Sequence, residues 1–416
     1  MKFIIRGGRR LKGEIEVKGM KNAAAPILAS TLLTKEKCFL ENIPRIRDIF
    51  VMIDILKSLG AKVKIHGSSV EISNKKIKLH RLDKNLVQKL RSSILFLGPL
   101  LARFKKVEIP EPGGCIIGNR PIDTHLYALA QLGAIIERKG EFYKITAKKL
   151  KGTTIILPEF SVTATENLIM ASVLAEGKTI IKLAAAEPHV QDLCNFLNKM
   201  GAKISGIGTH TLTINGVKRL KGAVHKIIPD QIEAGTFAVL AAATHSKIKI
   251  KNIVPEHLDV VLLKLKQIGV NFKLGKNYIQ IYPSYGLKAF KIQTMPYPGF
   301  PTDLQSPFGV LATQCQGTSL IHDPLFEKRM SYVAELVKMG ANAIIADPHR
   351  VIISGPTTLY GREIKSFDLR AGATLIIAGL IAQGETILHQ AEIVDRGYEK
   401  IEKRLSSLGA KIKRVK

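Results

Sequence analysis

The sequence predicts an α/β protein built from six repeated units, three to a domain, with a buried helix inside each unit. Three observations carry that prediction: a recurring glycine motif, apolar segments with two different periods, and a chain of 416 residues. The motif is a large apolar residue, then Gly, then a small apolar residue. It occurs as Leu59-Gly60-Ala61, Leu132-Gly133-Ala134, Met200-Gly201-Ala202, Ile268-Gly269-Val270, Met339-Gly340-Ala341 and Leu408-Gly409-Ala410. Successive glycines lie 73, 68, 68, 71 and 69 residues apart, and a near-constant period marks a chain assembled from one supersecondary unit. A chain of this length also exceeds what one hydrophobic core usually supports, so two domains are expected.

Ahead of each motif, apolar residues fall at helical spacing, as in Ile49, Met52, Ile53, Leu56 and Leu59. The glycine ends that helix, because the left-handed conformation of a C-terminal cap costs Gly least. Alternating strands follow, for example 62–65 with 70–72, and 278–281. A second helix in each unit is apolar on nearly all sides, as at 92–103, 163–175, 232–244, 302–313 and 370–382, which places it inside rather than on the surface. The last unit stops after one strand, 411–415, while the chain opens with strand-like segments at 3–6 and 14–18. The simplest closure is a domain of 21–228 and a second domain in which 1–20 joins 229–416. Crossings near Gly19 and Pro229 would then act as a hinge suited to closing over a ligand.

An apolar fraction of 46% with 23% charged residues describes a chain that folds throughout. The 63 Lys and Arg against 34 Asp and Glu give a net charge of +29, which points to an anionic partner. Nucleic acid is not the expected partner, because the basic residues are scattered and neither zinc-finger spacing nor an aromatic RNA-binding signature is present. A Lys-rich solvated surface accounts for most of the excess. Cys38, Cys115, Cys194 and Cys315 are far apart and lack metal-ligand spacing, so neither a disulfide framework nor a metal site is expected. The longest apolar stretches, 92–102 and 371–382, fall short of the roughly 20 residues that cross a bilayer. Only Phe3-Ile4-Ile5 precedes Arg6 at the start, too little for a signal-peptide core. A soluble cytoplasmic protein, free of the membrane, is the expectation. Phosphate-loop, dinucleotide and H-E-x-x-H motifs are absent, so ATP, NAD and zinc chemistry find no support.

The candidate chemistry lies in basic residues beside glycines and prolines. Gly19-Met20-Lys21-Asn22-Ala23-Ala24-Ala25-Pro26 places Lys21 at a strand-to-helix junction, where backbone N–H groups and the helix dipole favour an anion; an ordinary surface lysine fits equally well. The breaker-rich segment from Pro110 to Pro121 reads as a mobile lid carrying Cys115 and Arg120. A thiol near cations on an exposed loop is reactive, whereas most lone cysteines are buried and inert. Asp303, after Tyr297-Pro298-Gly299-Phe300-Pro301-Thr302, stands at a helix start, where a helix N-cap or first-turn acid is the plain alternative. Arg329, Arg370 and Arg396 each lie at or beside a helix entry, in F-E-K-R, D-L-R and D-R-G-Y. Surface pairing would explain any one of them but not their recurrence at equivalent repeat positions.

Taken in order, G-M-K-N-A-A-A-P, P-G-G-C-I-I-G-N-R-P-I-D, F-P-T-D, F-E-K-R, D-L-R-A-G and D-R-G-Y-E resemble the UDP-N-acetylglucosamine 1-carboxyvinyltransferase family of enolpyruvyl transferases, and the resemblance runs from the first residues to Lys416. It implies a two-domain inverted α/β barrel of six βαβαββ-type units, with the active site in the cleft between the domains. It also implies phosphoenolpyruvate and UDP-N-acetylglucosamine as substrates, no metal or organic cofactor, and a monomer. Cys115 would protonate the methylene carbon of phosphoenolpyruvate and could form a covalent adduct, a 2-(S-cysteinyl)pyruvic acid O-phosphothioketal. Asp303 would take the proton of the sugar 3'-hydroxyl. Lys21, Arg120 and Arg396 would clamp phosphoenolpyruvate, with Arg370 and Arg329 adding to the electropositive wall. Asn22 and Arg91 would position substrates. Arg120, Pro121, Ile122, Asp123, Thr124, Ser161, Val162 and Leu325 would line the UDP-sugar site.

The chain departs from the family at the nucleotide end. Glu159 stands where the family often has Lys, Thr124 where many relatives have Leu, and Gln231 where an arginine is common. An acid beside a diphosphate is unfavourable unless it points away. The rival transferases acting on shikimate phosphate share the fold but lack this P-G-G-C loop and this K-N-A-A opening.

Overall fold

All six motif glycines adopt the left-handed conformation, with φ between 95° and 103°. In every copy the next residue donates its N–H to a carbonyl five positions back: Ala61 to Leu56, Ala134 to Leu129, Ala202 to Leu197, Val270 to Leu265, Ala341 to Leu336 and Ala410 to Leu405, at 2.9–3.2 Å. This double-bonded C-cap satisfies carbonyls that a helix end otherwise leaves open, and the small apolar residue seats against the last turn. The periodic sequence motif is thus one stereochemical device used six times.

The computed structural model describes residues 1–77, 81–113, 118 and 120–416. These residues fall into two compact units, one of Met1–Lys18 with Pro229–Lys416, the other of 19–113 with 120–228. Each unit has its own apolar core. In the unit holding both chain ends, three four-stranded sheets surround the core, and in the other, two four-stranded sheets and one three-stranded sheet do so. Where a sheet has four strands, one outer strand joins in parallel and the rest are antiparallel. Val224–Lys226, for example, runs parallel to Lys37–Glu41, which pairs antiparallel with Ser69–Ser73. In the three-stranded sheet, a parallel bridge between Arg81 and Glu108 stands in the corresponding place. Among the described residues the sheets stay separate, and none closes on itself.

The apolar helices are α1 (Lys21–Ser30), α2 (Leu97–Phe104), α3 (Val162–Ser172), α4 (Gln231–Ala243), α5 (Gln305–Ala312) and α6 (Leu369–Ile381). Every residue of α4 is buried, and every residue of α6 except the last. Helices α4, α5 and α6 pack on one another. Two of the expected helices start later than their apolar runs. The 92–103 and 302–313 segments open as 3₁₀ turns, Arg91–Phe96 and Thr302–Leu304, and become α-helical only at Leu97 and Gln305. Pro99 and Pro307 explain this: proline fits the first turn, whose N–H groups need no partner, but its ring clashes with the carbonyl four residues earlier. None of the helices among the described residues is long and apolar enough to cross a membrane.

The first strand, Lys2–Arg6, lies between Glu385–His389 and Lys411–Val415 and pairs antiparallel with both. Lys12–Glu16 runs parallel to Lys247–Lys251. Arg404 secures this arrangement: its guanidinium grips both oxygens of Glu233 on α4 and the carbonyl of Glu16, while Glu233 also accepts the N–H of Lys18. Glu233 is almost fully buried, and a charge there is tolerable only because it is paired and hydrogen-bonded.

Candidate active site

The unit of 19–228 presents a set of basic groups at helix entries. Lys21 and Asn22 are the first two residues of α1, half-buried. The Lys21 ammonium donates to Asp48 Oδ2 at 3.3 Å. Asp48 is buried in the first turn of the helix Arg47–Ser58, where the dipole favours a carboxylate. No spacing rule links Asp48 to Lys21, 27 residues away, and the sequence reading missed it.

Arg91 opens the 3₁₀ turn ahead of α2, and its Nη2 donates to the carbonyl of Pro121 at 2.9 Å. Burial, and then the neighbouring Arg120, pull its guanidinium down to about 10, with Glu111 acting the other way. One bond therefore fastens Arg91 to the 120–124 segment. Ile122 caps the helix Asp123–Gln131, with Asp123 and Thr124 as its first residues. Behind them His125 is buried against the Thr163 hydroxyl at 2.8 Å; desolvation, helped by Arg91 and Arg120, lowers it to about 3, so its ring is neutral. Ser161 caps α3, accepting from the Ala164 N–H, and Val162 begins that helix. The Thr124 hydroxyl donates to Glu159 Oε1 at 2.6 Å. Thr124 and Glu159, two positions singled out in the sequence, are therefore bonded to each other. Cys115, expected to carry proton transfer and the adduct, lies outside the described residues.

The unit of 1–18 and 229–416 assembles a different centre around Asp303. Its two oxygens accept separately, from Arg329 Nη2 at 2.8 Å and from Arg370 Nη2 at 2.9 Å. Neither the 3₁₀ turn nor α5 uses Asp303 as a side-chain cap, but it is an acid in the first turn of the 3₁₀ helix Thr302–Leu304, the other half of the plain alternative. Arg370 sits in the first turn of α6, which Asp368 caps by accepting the N–H groups of Arg370 and Ala371. Burial works against the Arg370 charge, but Asp303, Tyr398 and Asp230 more than offset it, and the guanidinium is held above its usual value. Asp230 caps α4 through the N–H groups of Ile232 and Glu233. Gln231 is buried in the first turn of α4.

A fully buried carboxylate, Asp323, ties two candidate segments together. It accepts the Thr302 hydroxyl through Oδ2, and the Thr294 hydroxyl and Leu325 N–H through Oδ1. It thereby fixes the turn that carries Asp303 and the segment that leads through Leu325 to Arg329. Arg396 ends the 3₁₀ turn Ala391–Arg396 and is half-buried. Gly397 follows it because a Cβ there would lie 2.5 Å from Leu369 Cδ1. Chemically, this centre sets one carboxyl group between two buried cations, an excess of positive charge that favours anion binding and charge stabilisation in a low-dielectric setting.

A sequence-family profile described as EPSP synthase (3-phosphoshikimate 1-carboxyvinyltransferase) matches residues 5–405. The UDP-N-acetylglucosamine 1-carboxyvinyltransferase 1 of Carboxydothermus hydrogenoformans is 50% identical over 414 residues, covering 100% of this chain and 98% of that protein. The chain belongs to the UDP-N-acetylglucosamine 1-carboxyvinyltransferase family. The family member from Treponema denticola is 46% identical, with 99% of this chain and 98% of that protein covered. Two solved structures share the fold at lower identity. The enolpyruvyl transferase NikO from Streptomyces tendae superposes with a TM-score of 0.91 at 22% identity, over 99% of this chain and 98% of that one. An EPSP synthase from Acinetobacter baumannii gives 0.78 at 20% identity, over 99% of each chain.

Proposed function

We propose that this protein transfers the carboxyvinyl group of phosphoenolpyruvate to the 3'-hydroxyl of UDP-N-acetylglucosamine and releases phosphate, the committed step of peptidoglycan synthesis. The observation that carries the reading is 50% identity across the full chain to a curated UDP-N-acetylglucosamine 1-carboxyvinyltransferase.

In this reading, Asp303 takes the proton of the sugar hydroxyl as its oxygen bonds to C2 of phosphoenolpyruvate, and the Cys115 thiol supplies a proton to C3. The resulting phospho-ketal then loses a C3 proton to the Cys115 thiolate, its C–O bond to phosphate breaks as the proton held by Asp303 goes to the leaving phosphate, and the carboxyvinyl ether remains. Lys21, Arg120 and Arg396 anchor phosphoenolpyruvate, while Asn22 and Arg91 position the substrates. The 120–124 segment, Ser161, Val162 and Leu325 serve the UDP-sugar. A carboxylate flanked by two guanidinium groups is a weak base. An incoming carboxylate or phosphate that draws Arg329 and Arg370 toward itself raises the basicity of Asp303 when substrate is present.

Phosphate release is the test, with native protein and Cys115→Ser, with and without UDP-N-acetylglucosamine, and with shikimate 3-phosphate as alternative acceptor. Release that requires the UDP-sugar and collapses in the variant supports the reading. A folded native protein that releases phosphate only with shikimate 3-phosphate, or with neither acceptor, overturns it.

A further inference from the structure

A buried polar path that the proposed reaction does not use ends on the Asp303 centre. We propose that Tyr398 and Thr236 form a positioning relay that sets the guanidinium of Arg370 and, through it, the carboxylate of Asp303. The inference rests on the carboxyvinyl-transfer reading for its kinetic consequences but not for its geometry.

The path has one possible polarity. Arg370 can only donate, and its Nη1 lies 3.2 Å from the Tyr398 hydroxyl, which therefore accepts. The Tyr398 hydroxyl also lies 3.0 Å from Thr236 Oγ1, and the Thr236 hydroxyl hydrogen is committed to the carbonyl of Ile232 at 2.8 Å. Tyr398 must then donate to Thr236. The chain runs from Arg370 to Tyr398 to Thr236 and ends on a carbonyl in the first turn of α4.

Arg370, Tyr398 and Thr236 are 4%, 1% and 1% exposed, so water does not compete for these bonds. The relay also decides the guanidinium plane. Arg370 Nε makes no hydrogen bond among the described residues, which leaves the two terminal nitrogens to orient the group. Nη2 holds Asp303 at 2.9 Å and Nη1 holds Tyr398. A rigid planar fork fixed at one tine is fixed at the other. Asp230, which caps the same turn of α4, adds attraction for the Arg370 charge but already accepts two backbone N–H groups. Tyr398 supplies direction where Asp230 supplies charge.

The test compares Tyr398→Phe, Thr236→Val and Thr236→Ser with the native protein. Tyr398→Phe is expected to lower kcat roughly ten- to hundredfold, as for loss of an outer-shell hydrogen bond that orients a functional group, with KM for either substrate changed less than about threefold. The acid limb of its kcat–pH profile is expected to move to higher pH, because a displaced Arg370 stabilises the Asp303 carboxylate less. Thr236→Val should shift the same limb in the same direction, and Thr236→Ser, which keeps the hydroxyl, should restore most of the lost rate. An unmoved pH limb in folded Tyr398→Phe, or equal rates for Thr236→Val and Thr236→Ser, would overturn the relay. A crystal structure of Tyr398→Phe separates the two readings. If the native protein releases no phosphate, the assigned reaction fails, yet the relay still stands or falls on the Arg370–Asp303 separation. A lengthened contact supports it, and one that stays near 2.9 Å refutes it.

Discussion

Arg414 holds Asp395 with both terminal nitrogens, at 2.7 and 2.6 Å, and reaches Glu402 at 3.0 Å with one of them. The strand Lys411–Val415 is thereby bolted to the 3₁₀ turn whose last residue is Arg396. Bidentate pairs of this kind are stronger and more directional than ordinary surface ion pairs. Arg414→Ala should therefore cost about 1–3 kcal/mol of stability, within the usual range for hydrogen bonds to charged groups. It should also lower turnover by loosening Arg396. Urea unfolding and phosphate-release rates on the same preparation check both, and unchanged turnover would detach Arg396 from this support.

Asp323 makes a sharper prediction, because one carboxylate serves two site segments. In Asp323→Asn the amide nitrogen cannot accept, so at least one of the Thr302, Thr294 and Leu325 donors loses its partner inside the core. The expected cost is about 1–3 kcal/mol, with kcat falling more than KM rises, since Asp303 and Arg329 shift relative to each other. A variant with normal kcat and reduced stability would make Asp323 structural only.

These two cases show where the sequence could be read and where it could not. The repeat was legible because the αL cap needs glycine in each copy, which left a periodic mark from Gly60 to Gly409. Lys21, Asp303, Arg370 and Arg396 were visible as motif residues at helix entries. Their supports were not: Asp48 lies 27 residues from Lys21, and Tyr398 lies 162 residues from Thr236. Partners brought together by tertiary packing leave no spacing signal. The late start of α2 and α5 was masked for a different reason, because apolar runs continue through the 3₁₀ turns that Pro99 and Pro307 impose.

The bond from Thr124 to Glu159 gives the acid a partner within its own unit. Thr124→Val removes the donor and leaves the carboxylate to act on its surroundings alone. Under the proposed function, KM for UDP-N-acetylglucosamine is expected to rise by about three- to tenfold from like-charge repulsion, and Glu159→Gln on that background should reverse most of the rise. Equal KM values for all three proteins would show that Glu159 does not face the diphosphate.

The last prediction concerns acid stability. Burial, then Arg91, with a further push from Arg120, lowers His125 to about 3, while an unfolded histidine titrates near its ordinary value of about 6.5. Between those values the unfolded chain binds a proton that the folded chain refuses, so stability falls as pH falls. The slope approaches about 1.4 kcal/mol per pH unit for one group. The contribution is fully present above pH 6.5 and is lost progressively toward the folded value. Other buried acids titrate as well, among them Glu166, whose burial pushes it well above its usual range and gives the opposite slope. The informative quantity is therefore the difference between native protein and His125→Gln, in which terms common to both cancel. Glutamine keeps a group able to bond the Thr163 hydroxyl but has no proton to bind. Urea unfolding from pH 7.5 to 4.5 should show His125→Gln less stable at neutral pH and closing on the native protein as the medium becomes acidic. Parallel curves across that range would mean that His125 is protonated as easily in the fold as outside it, and that Arg91 and Arg120 do not bear on it.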